Sequence, residues 1–423
     1  MENTEKKRIA VVGAGVAGIV TAYLLSRRHD VTLIEKNDYI GGHTNTIDIQ
    51  DESGAVIPVD TGFIVLNDRT YPLFNRFLSQ LGVAIGKTDM SFSYRDGNSN
   101  LQYASMDFRS IFAQRTNLFS PFFWRLLYGI LRFNRLTRQR LHEGALTGLT
   151  IDEHLRRESI SDIVAKAFVL PMAGAIWSAP DGSIREFPVE TFARFYENHG
   201  LLSLSDHPQW YYVEGGSQTY VRAFLKTFTG RVLSSCPVKA VIRDDRGVVL
   251  KLPNAEERFD KVVIAAHADQ AFRMLANPSE NETRLLSVWK YAPNQTILHS
   301  DQSFLPPIRR AWASWNYTRA AGNKDEAPVA LTYDMTRLQC LPCNDRVCVT
   351  LNPWKPVSKA KTIRELQYDH PMYNFDALRS QAELPSLSGQ KNTYFCGSYF
   401  GYGFHEDAVR SAVELGKLFD IGL

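Results

Sequence analysis

The sequence has few of the features typical of membrane, secreted or nucleic-acid-binding proteins. It contains no apolar run of about 18 residues, so we expect no membrane-spanning helix. Five cysteines in 423 residues are an odd and small number, which argues against a disulfide framework. The net charge of +3 is too small to indicate a nucleic-acid partner, and none is expected. The polar start of the chain predicts no signal peptide, so we expect a cytoplasmic protein with reduced cysteines.

One cysteine pair has the spacing of a redox or zinc motif. Two residues separate Cys340 from Cys343, and Cys348 lies nearby. A thioredoxin-type pair opens a helix after a strand, and a zinc site needs further ligands at matched spacing. Here the pair lies between two predicted strands and no second pair follows. We interpret it as a turn and predict no metal site.

A glycine-spaced turn near the start of the chain is the most informative feature that is present. An apolar run leads into Gly13-x-Gly15-x-x-Gly18, a helical stretch of small and apolar residues follows, and a second apolar run ends on Glu35. This order predicts a dinucleotide-binding βαβ unit. Gly13 permits the tight turn, Gly15 lets the backbone approach a pyrophosphate, and Gly18 lets the helix pack on the strand. Glu35 is placed to accept hydrogen bonds from ribose hydroxyls.

A second glycine loop follows directly after this acid. It reads Gly41-Gly42-His43-Thr44, and Thr61-Gly62 comes a few residues later. Two glycine loops near one pyrophosphate suit a larger, buried cofactor better than a nicotinamide held at a single turn.

These loops resemble those of the flavin-containing amine oxidoreductase superfamily, which includes amine oxidases, protoporphyrinogen oxidases and carotenoid desaturases. The similarity continues through the glycine pair at 215–216, through Val238, whose backbone would meet the adenine, and through the strand at 260–266. His43 stands where the superfamily has an arginine, so its contact with phosphate depends on its protonation or on a neutral hydrogen bond. The resemblance implies FAD as the cofactor.

The C-terminal segment 395–408 matches the last flavin-binding motif of the superfamily. There, backbone N–H groups at a helix start face the flavin pyrimidine, and His405 and Ala408 would supply them. Ser398 stands where relatives place an acid toward the ribityl chain. Within the superfamily, the chain is most similar to FAD-dependent proteins related to the flavoprotein half of plant cyclopropane fatty acid synthases, whose bacterial members are often linked to lipid methyltransferases.

Together these motifs predict an α/β protein, in which a Rossmann-type FAD-binding domain is interleaved with an α+β substrate domain, as in amine oxidases and glutathione reductase. We expect the FAD-binding domain at 1–68, about 211–280 and 386–423, and the substrate domain at about 69–210 and 281–385. The predicted cofactor-binding residues are Gly13, Gly15, Val16, Ala17, Gly18, Glu35, Lys36, Gly41, Gly42, His43, Thr44, Thr61, Gly62, Val238, Gly397, Ser398, Phe404, His405 and Ala408.

No catalytic residue is evident from the sequence. The residues Tyr399, Tyr402, His405 and Glu406 are candidates only because their motif borders the flavin. Amine oxidases of this fold have a lysine near flavin N5 and two aromatic walls around the amine. Matching the strands by eye puts Gln295 at the lysine position, although a slip would bring in Lys290. Phe404 matches one wall, and these departures argue against an amine substrate.

The segment 108–142 is basic and aromatic, with seven arginines, eight aromatics, no lysine and no acid. Its helical periodicity places arginines broadly opposite an apolar side, although Trp124, Tyr128 and Leu131 blur the division. The apolar side contains Phe123, Leu126, Leu127, Ile130, Phe133 and Leu141. This pattern is typical of a helix at a membrane surface, on the inner face of the membrane for a cytoplasmic protein. The alternative is a helix docked on the core, with its arginines in solvent or paired.

Three hypotheses for function remain open. The first is an FAD-dependent oxidoreductase that dehydrogenates or isomerises an unsaturated or methyl-branched fatty acyl chain, in a tunnel lined from 168–212 and 304–317. The second is an oxidase of amines or other small molecules that produces hydrogen peroxide. The third is a non-catalytic flavoprotein that docks on a lipid methyltransferase or a membrane.

Overall fold

The structure is a computed structural model and describes residues 6–51, 53–203, 207–322 and 327–423. The first five residues, used above for the signal-peptide prediction, and residues 204–206 of the predicted tunnel segment therefore lie outside it. Among the described residues, no helix is both long enough and apolar enough to cross a membrane.

The described strands alternate with helices along the chain. The strands are β1 (Arg8–Val12), β2 (Asp30–Ile34), β3 (Thr46–Gln50), β4 (Val56–Asp60), β5 (Val65–Asn67), β6 (Ile85–Thr88), β7 (Phe92–Asp96), β8 (Gln102–Ala104), β9 (Trp210–Val213), β10 (Arg231–Leu233), β11 (Ala240–Asp244), β12 (Gly247–Lys251), β13 (Glu256–Phe259), β14 (Lys261–Ile264), β15 (Lys290–His299), β16 (Trp315–Arg319), β17 (Leu331–Asp334), β18 (Cys348–Leu351), β19 (Thr362–Met372) and β20 (Thr393–Phe395). The helices are α1 (Val16–Leu25), α2 (Pro72–Gln80), α3 (Phe108–Ile111), α4 (Pro121–His142), α5 (Ile151–Arg157), α6 (Asp162–Val164), α7 (Leu170–Trp177), α8 (Asp181–Arg185), α9 (Val189–Asn198), α10 (Gln218–Thr227), α11 (Ala268–Met274), α12 (Glu280–Leu286), α13 (Met335–Leu338), α14 (Phe375–Gln381) and α15 (His405–Lys417). A 3₁₀ turn (Arg115–Phe119) precedes α4, and a π-helical turn (Ala165–Val169) joins α6 to α7.

A five-stranded parallel sheet in the order β10-β2-β1-β14-β20 confirms the predicted Rossmann-type architecture. Its central strand is buried on both faces, because successive side chains point to opposite sides of the sheet. Ile9 and Val11 pack with α1 and α15, whereas Ala10 and Val12 pack into the largest core cluster. The parallel strands β1 and β20 come from opposite ends of the chain. The glycine turn after β1 and the C-terminal motif after β20 therefore lie at the same edge of the sheet.

A seven-stranded sheet in the order β19-β15-β18-β17-β16-β7-β8 forms a second layer of the molecule. Within it, β19 pairs antiparallel with β15, which places residues 367–371 opposite 291–295. The smaller sheets are β11-β12-β13, β5-β9-β6 and β3-β4. The chain crosses repeatedly between the two large sheets, and the domain limits given above stay predictions.

Helix α4 docks on the core through its apolar side, as the second of the two interpretations of the basic aromatic segment predicts. Its apolar side is turned inward, with Phe123, Leu126 and Phe133 buried in the core. The residues that blurred the pattern, Trp124 and Tyr128 among them, are the exposed ones. The apolar side packs inward because residues three and four apart share one helix face, and this face meets α6 and α9.

Candidate active site

The turn between β1 and α1 leaves an open backbone cradle at the edge of a large cavity. Gly13 has a φ of +99°, and a Cβ on it would lie 2.6 Å from the carbonyl oxygen of Ala265. Gly15 lines the cavity, and a Cβ on it would meet no atom within 4 Å. The N–H groups of the first turn of α1 and the positive end of its dipole both face this cradle, which suits an anion. The cradle therefore fits a dinucleotide pyrophosphate.

Glu35 is fixed beside this turn by two backbone hydrogen bonds. Its side chain is 5% exposed, and its two oxygens accept the N–H groups of Ala14 at 2.8 Å and Asn37 at 3.0 Å. Each carboxylate oxygen retains a second acceptor site. Because Glu35 also lines the cavity, it is positioned to accept hydrogen bonds from a ribose.

The second glycine loop lies directly against the first. The N–H of Gly41 donates to the carbonyl of Ala14 at 2.9 Å, and Gly41 forms a parallel bridge with Gly15. A Cβ on Gly42 would lie 3.1 Å from the Cα of Gly15. Both loops therefore border one site, as predicted from the sequence.

Two of the predicted cofactor residues do not line the cavity. Gly18 instead allows α1 to approach β1, since a Cβ there would lie 1.8 Å from the carbonyl oxygen of Gly13. The hydroxyl of Thr44 lies inside the fold, 2.6 Å from the Tyr220 hydroxyl and 3.1 Å from Nε2 of His405. These two residues support the site without facing it. The other predicted residues all line the cavity: Gly13, Gly15, Val16, Ala17, Glu35, Lys36, Gly41, Gly42, His43, Thr61, Gly62, Val238, Gly397, Ser398, Phe404, His405 and Ala408.

Three histidines form a cluster beside the second glycine loop. The ring of His43 lies 6.0 Å from that of His267 and 5.5 Å from that of His370, and all three line the cavity. Burial lowers the pKa of all three, to about 3 for His267 and His370. Nε2 of His43 and Nδ1 of His267 are buried and have no hydrogen-bond partner among the described residues. These nitrogens are therefore available to a polar group in the cavity, which again fits a phosphate-bearing cofactor.

The N-terminus of α15 meets the cavity from the other side. Phe404 and His405 both line it, and the ring of His405 stacks on Phe63 at 3.7 Å. The carboxylate of Asp407 accepts the N–H groups of Tyr402 and Phe404 at 3.0 and 3.1 Å, which fixes the turn before the helix. This arrangement directs a positive helix end at the cavity, as the C-terminal motif predicts.

The four catalytic candidates separate into two groups. Tyr399, Tyr402 and His405 line the cavity, whereas Glu406 does not. The Glu406 carboxylate accepts backbone N–H groups at the start of α2 at 3.1 and 2.9 Å, so its role is structural. Burial lowers the pKa of His405 well below its usual range, so its ring is neutral.

The cavity has a volume of about 1720 Å³ and extends from the glycine turns into the helical part of the molecule. The predicted segment 168–212 supplies much of its wall, but within 304–317 only Trp315 lines it. Further walls come from segments that sequence reasoning did not assign to the tunnel: 88–92, 103–111, 127–134 and 367–371.

The eye-matched position of the amine-oxidase lysine was wrong. Gln295 and Lys290 are both exposed on β15, and neither lines the cavity. Among the described residues, the lysines that line it are Lys36 and Lys239, which neighbour Glu35 and Val238. No lysine of the described chain therefore borders the helical part of the cavity.

Phe404, which the sequence matches to one aromatic wall of amine oxidases, lines the cavity. Its ring packs nearly parallel to that of Phe195, with ring centroids 4.9 Å apart. Phe195 lines the cavity as well, so the two rings form one continuous aromatic patch.

Sequence reasoning missed His267 and His370. His267 lies three residues after Ile264, the last residue of β14. Ligands bind at the carboxyl ends of parallel strands, so its position was a usable signal. His370 gave no comparable signal, because only the pairing of β19 with β15 brings it to the cavity.

A parallel sheet, two glycine loops, a fixed acid and a deep cavity define a dinucleotide-dependent enzyme of the flavoprotein class. The chain belongs to the flavin-containing amine oxidoreductase family, whose model matches residues 16–306. It is therefore an FAD-dependent oxidoreductase.

Solved structures share the fold over almost the whole chain. A redesigned putrescine oxidase matches with a TM-score of 0.72 at 14% identity, covering 98% of this chain and 99% of that one. A CLA-producing fatty acid isomerase from P. acnes matches with a TM-score of 0.67 at 13% identity, covering 98% of each chain. An L-amino-acid oxidase of Notechis scutatus scutatus is 46% identical over 46 residues, which are 11% of this chain and only 9% of that protein.

Proposed function

We propose that the substrate is a long apolar molecule, an unsaturated or methyl-branched fatty acyl chain, which is dehydrogenated or isomerised. The apolar wall of the helical part of the cavity carries this proposal. It is built from α4, the π-helical turn and α7, through Leu127, Ile130, Phe168, Met172 and Ile176. A wall of this kind binds hydrocarbon by removing apolar surface from water and offers no group to neutralise a charge.

The residues that would hold FAD lie at the other end of the cavity. The turn at Gly15 and the loop at Gly42 would receive the pyrophosphate, and Glu35 the ribose. The backbone at Val238 would meet the adenine. When bound, FAD supplies an acceptor for two electrons and a proton taken from a substrate carbon.

The residues around the reacting part of the substrate would act by position. The start of α15 offers a positive helix end that favours negative charge beside it. The neutral ring of His405 is held by its stacking on Phe63 and by its proximity to Thr44. The apolar walls would orient the chain and exclude water, which strengthens each polar interaction in the site.

The likeness to a fatty acid isomerase agrees with an acyl substrate. The likeness to a putrescine oxidase favours a second candidate, an amine oxidase that produces hydrogen peroxide. One observation weighs against the amine: no lysine of the described chain borders the helical part of the cavity.

The deciding experiment is anaerobic mixing of the flavin-loaded protein with two substrate panels. Phospholipids with unsaturated or methyl-branched chains are expected either to bleach the flavin absorbance, if they are dehydrogenated, or to be recovered with a displaced double bond, if they are isomerised. Small amines should leave the absorbance unchanged. Prompt bleaching by amines, with peroxide formed on admission of oxygen, would show that the acyl proposal is wrong. If neither panel bleaches the flavin and the recovered acyl chains show no displaced double bond, the acyl proposal also fails, and the predicted partnership with a lipid methyltransferase becomes the hypothesis to test.

A further inference from the structure

Exposed hydrophobic side chains are concentrated in one short part of the chain. Twelve large hydrophobic residues are exposed among the described residues, and eight of them lie between 106 and 131. We call these eight the aromatic rim: Met106, Phe108, Leu118, Phe119, Phe122, Trp124, Tyr128 and Leu131. Phe119 is 84% exposed and Tyr128 is 68% exposed, so most of the surface of each side chain is in contact with solvent.

The rim is held together by contacts between its elements. The ring of Phe112 packs against Phe108 at 4.7 Å and against Trp124 at 5.2 Å. The indole N–H of Trp124 donates to the carbonyl of Leu118 at 3.0 Å. The start of α3, the 3₁₀ turn and the start of α4 therefore present one surface rather than separate side chains. An apolar patch of this kind, exposed to solvent, marks an interaction site.

The seven arginines of the same segment differ in their partners. Arg138 pairs with Glu197, and Arg140 pairs with Glu158 and Glu143. Arg132 donates to the backbone carbonyls of Glu158 and Ser159. These three cations therefore have partners within the molecule.

The arginines beside the rim are not neutralised in this way. Arg109, Arg115, Arg125 and Arg135 are exposed, and none forms an ion pair within the described ranges. Between 106 and 142 the sequence has one acid, Asp107, whose carboxylate caps α3 by accepting the N–H of Ser110. The rim therefore combines exposed aromatics with unpaired positive charge, and this combination matches an anionic lipid surface.

The cavity opens at the rim. Met106 and Leu131 belong to the rim and also line the cavity, and Ile111, Leu127 and Ile130 line it behind them. A bilayer against the rim would cover the mouth of the cavity with hydrocarbon.

We propose that the aromatic rim docks on an anionic phospholipid bilayer and that the acyl substrate enters the cavity from the bilayer between Met106 and Leu131. The docking follows from the rim alone, whereas the entry route rests on the proposed acyl substrate. A second copy of the chain is a poorer occupant, because a twofold interface would place the unpaired arginines of one copy against those of the other. An aromatic and basic surface instead inserts rings at the headgroup level and attracts anionic lipid.

The test is sedimentation of the flavin-loaded protein with vesicles of phosphatidylcholine, alone or mixed with phosphatidylglycerol. We expect binding to the mixed vesicles that weakens as salt is raised, since salt screens exposed charges. The double variants Phe119→Ser/Phe122→Ser and Arg115→Glu/Arg125→Glu should each lower the bound fraction by roughly tenfold or more. The exposed residues Leu418 and Arg364 provide matched controls, Leu418→Ser and Arg364→Glu, which should bind as the unchanged protein does.

Retained flavin absorbance verifies that each variant is folded. Absence of binding to the mixed vesicles overturns the proposal, as does wild-type binding by both rim variants. A change of oligomeric mass in the rim variants without vesicle binding also overturns it, since the rim would then cover a second copy or another protein. Detergent-dispersed acyl lipid separates this proposal from the proposed function. If such lipid reduces the flavin while vesicles fail to bind, docking is wrong and the acyl substrate stands.

Discussion

At the scale of single residues, the fold does not require a glycine at position 15, but the cofactor does. The φ of Gly15, −71°, is accessible to any L-residue, and a Cβ on this residue would meet no protein atom within 4 Å. Gly13 is different, because its φ is +99° and a Cβ would clash with the Ala265 carbonyl. The first glycine is therefore required by the fold and the second by what enters the cradle.

We expect Gly15→Ala to leave the unfolding midpoint of the cofactor-free protein nearly unchanged. The added methyl group projects into the cradle that the pyrophosphate would occupy, so affinity for FAD should fall by roughly tenfold or more, which is about 1.4 kcal/mol. Flavin fluorescence quenching during titration of the cofactor-free protein measures this affinity. Unchanged affinity would show that the cradle does not receive the pyrophosphate.

Glu35→Gln tests the acid in the same way. A glutamine keeps one acceptor oxygen, while its NH₂ group faces either the Ala14 or the Asn37 N–H. Hydrogen bonds to charged groups are worth about 1.5–3 kcal/mol, so FAD affinity should fall by roughly ten- to hundredfold. Glu280→Gln on the exposed start of α12 is the matched control and should bind FAD normally. If Glu35→Gln and Glu280→Gln bind FAD with equal affinity, Glu35 does not contact the cofactor.

At the scale of elements, α4 and α7 both contribute to the apolar wall. Met172 and Ile176 lie one turn apart on α7 and both line the cavity, as residues four apart share a helix face. On α4, Leu127, Ile130 and Leu131 share a face in the same way and line the cavity. Larger side chains at these positions would take up space in the cavity.

Ile176→Trp should narrow the cavity at α7. We expect the rate of flavin reduction by long acyl chains to fall by roughly tenfold or more, because small-to-large changes are poorly accommodated in packed walls. FAD affinity should stay unchanged, since Ile176 is not among the residues that would hold FAD. Ile363→Trp on the exposed side of β19 is the control. An unaltered rate in Ile176→Trp would place the substrate elsewhere.

The sequence allowed prediction of the elements whose chemistry is local. The βαβ unit, both glycine loops and the helix after the C-terminal motif all follow from short-range patterns. The sequence did not show which side of α4 faces the core, because a helix with two partly apolar sides can bury either side. The approach of His267 to His370 could not be predicted either, since it depends on the pairing of distant strands.

At the scale of the whole molecule, buried neutral histidines make the fold sensitive to acid. Burial lowers the pKa of five histidines to about 3 or 4: His154, His199, His267, His299 and His370. In the unfolded chain these side chains bind protons below their ordinary pKa of 6.5, whereas in the folded chain they do not until about pH 4 or lower. Unfolding therefore takes up protons in this range, and stability falls as the pH drops below 6.5.

The cofactor-free protein should accordingly have a lower unfolding midpoint at pH 5 than at pH 7. His299 offers a test away from the cavity, because it is fully buried and its Nδ1 accepts the N–H of Asp301 at 3.0 Å. His299→Gln should reduce the loss of unfolding free energy between pH 7 and pH 5 by on the order of 1–2 kcal/mol, and so bring the two midpoints closer together. His142→Gln on the exposed end of α4 should leave that difference intact. Thermal unfolding at the two pH values measures the effect, and a midpoint that is equal or higher at pH 5 would contradict it.

The most direct test of the acyl substrate is the composition of cellular fatty acids with and without this protein. We expect acyl chains that have lost two hydrogens, or chains of equal mass with a displaced double bond, only when the active protein is present. The Ile176→Trp variant should reduce that product. Identical fatty acids in both cultures, together with consumption of an amine, would contradict the acyl substrate.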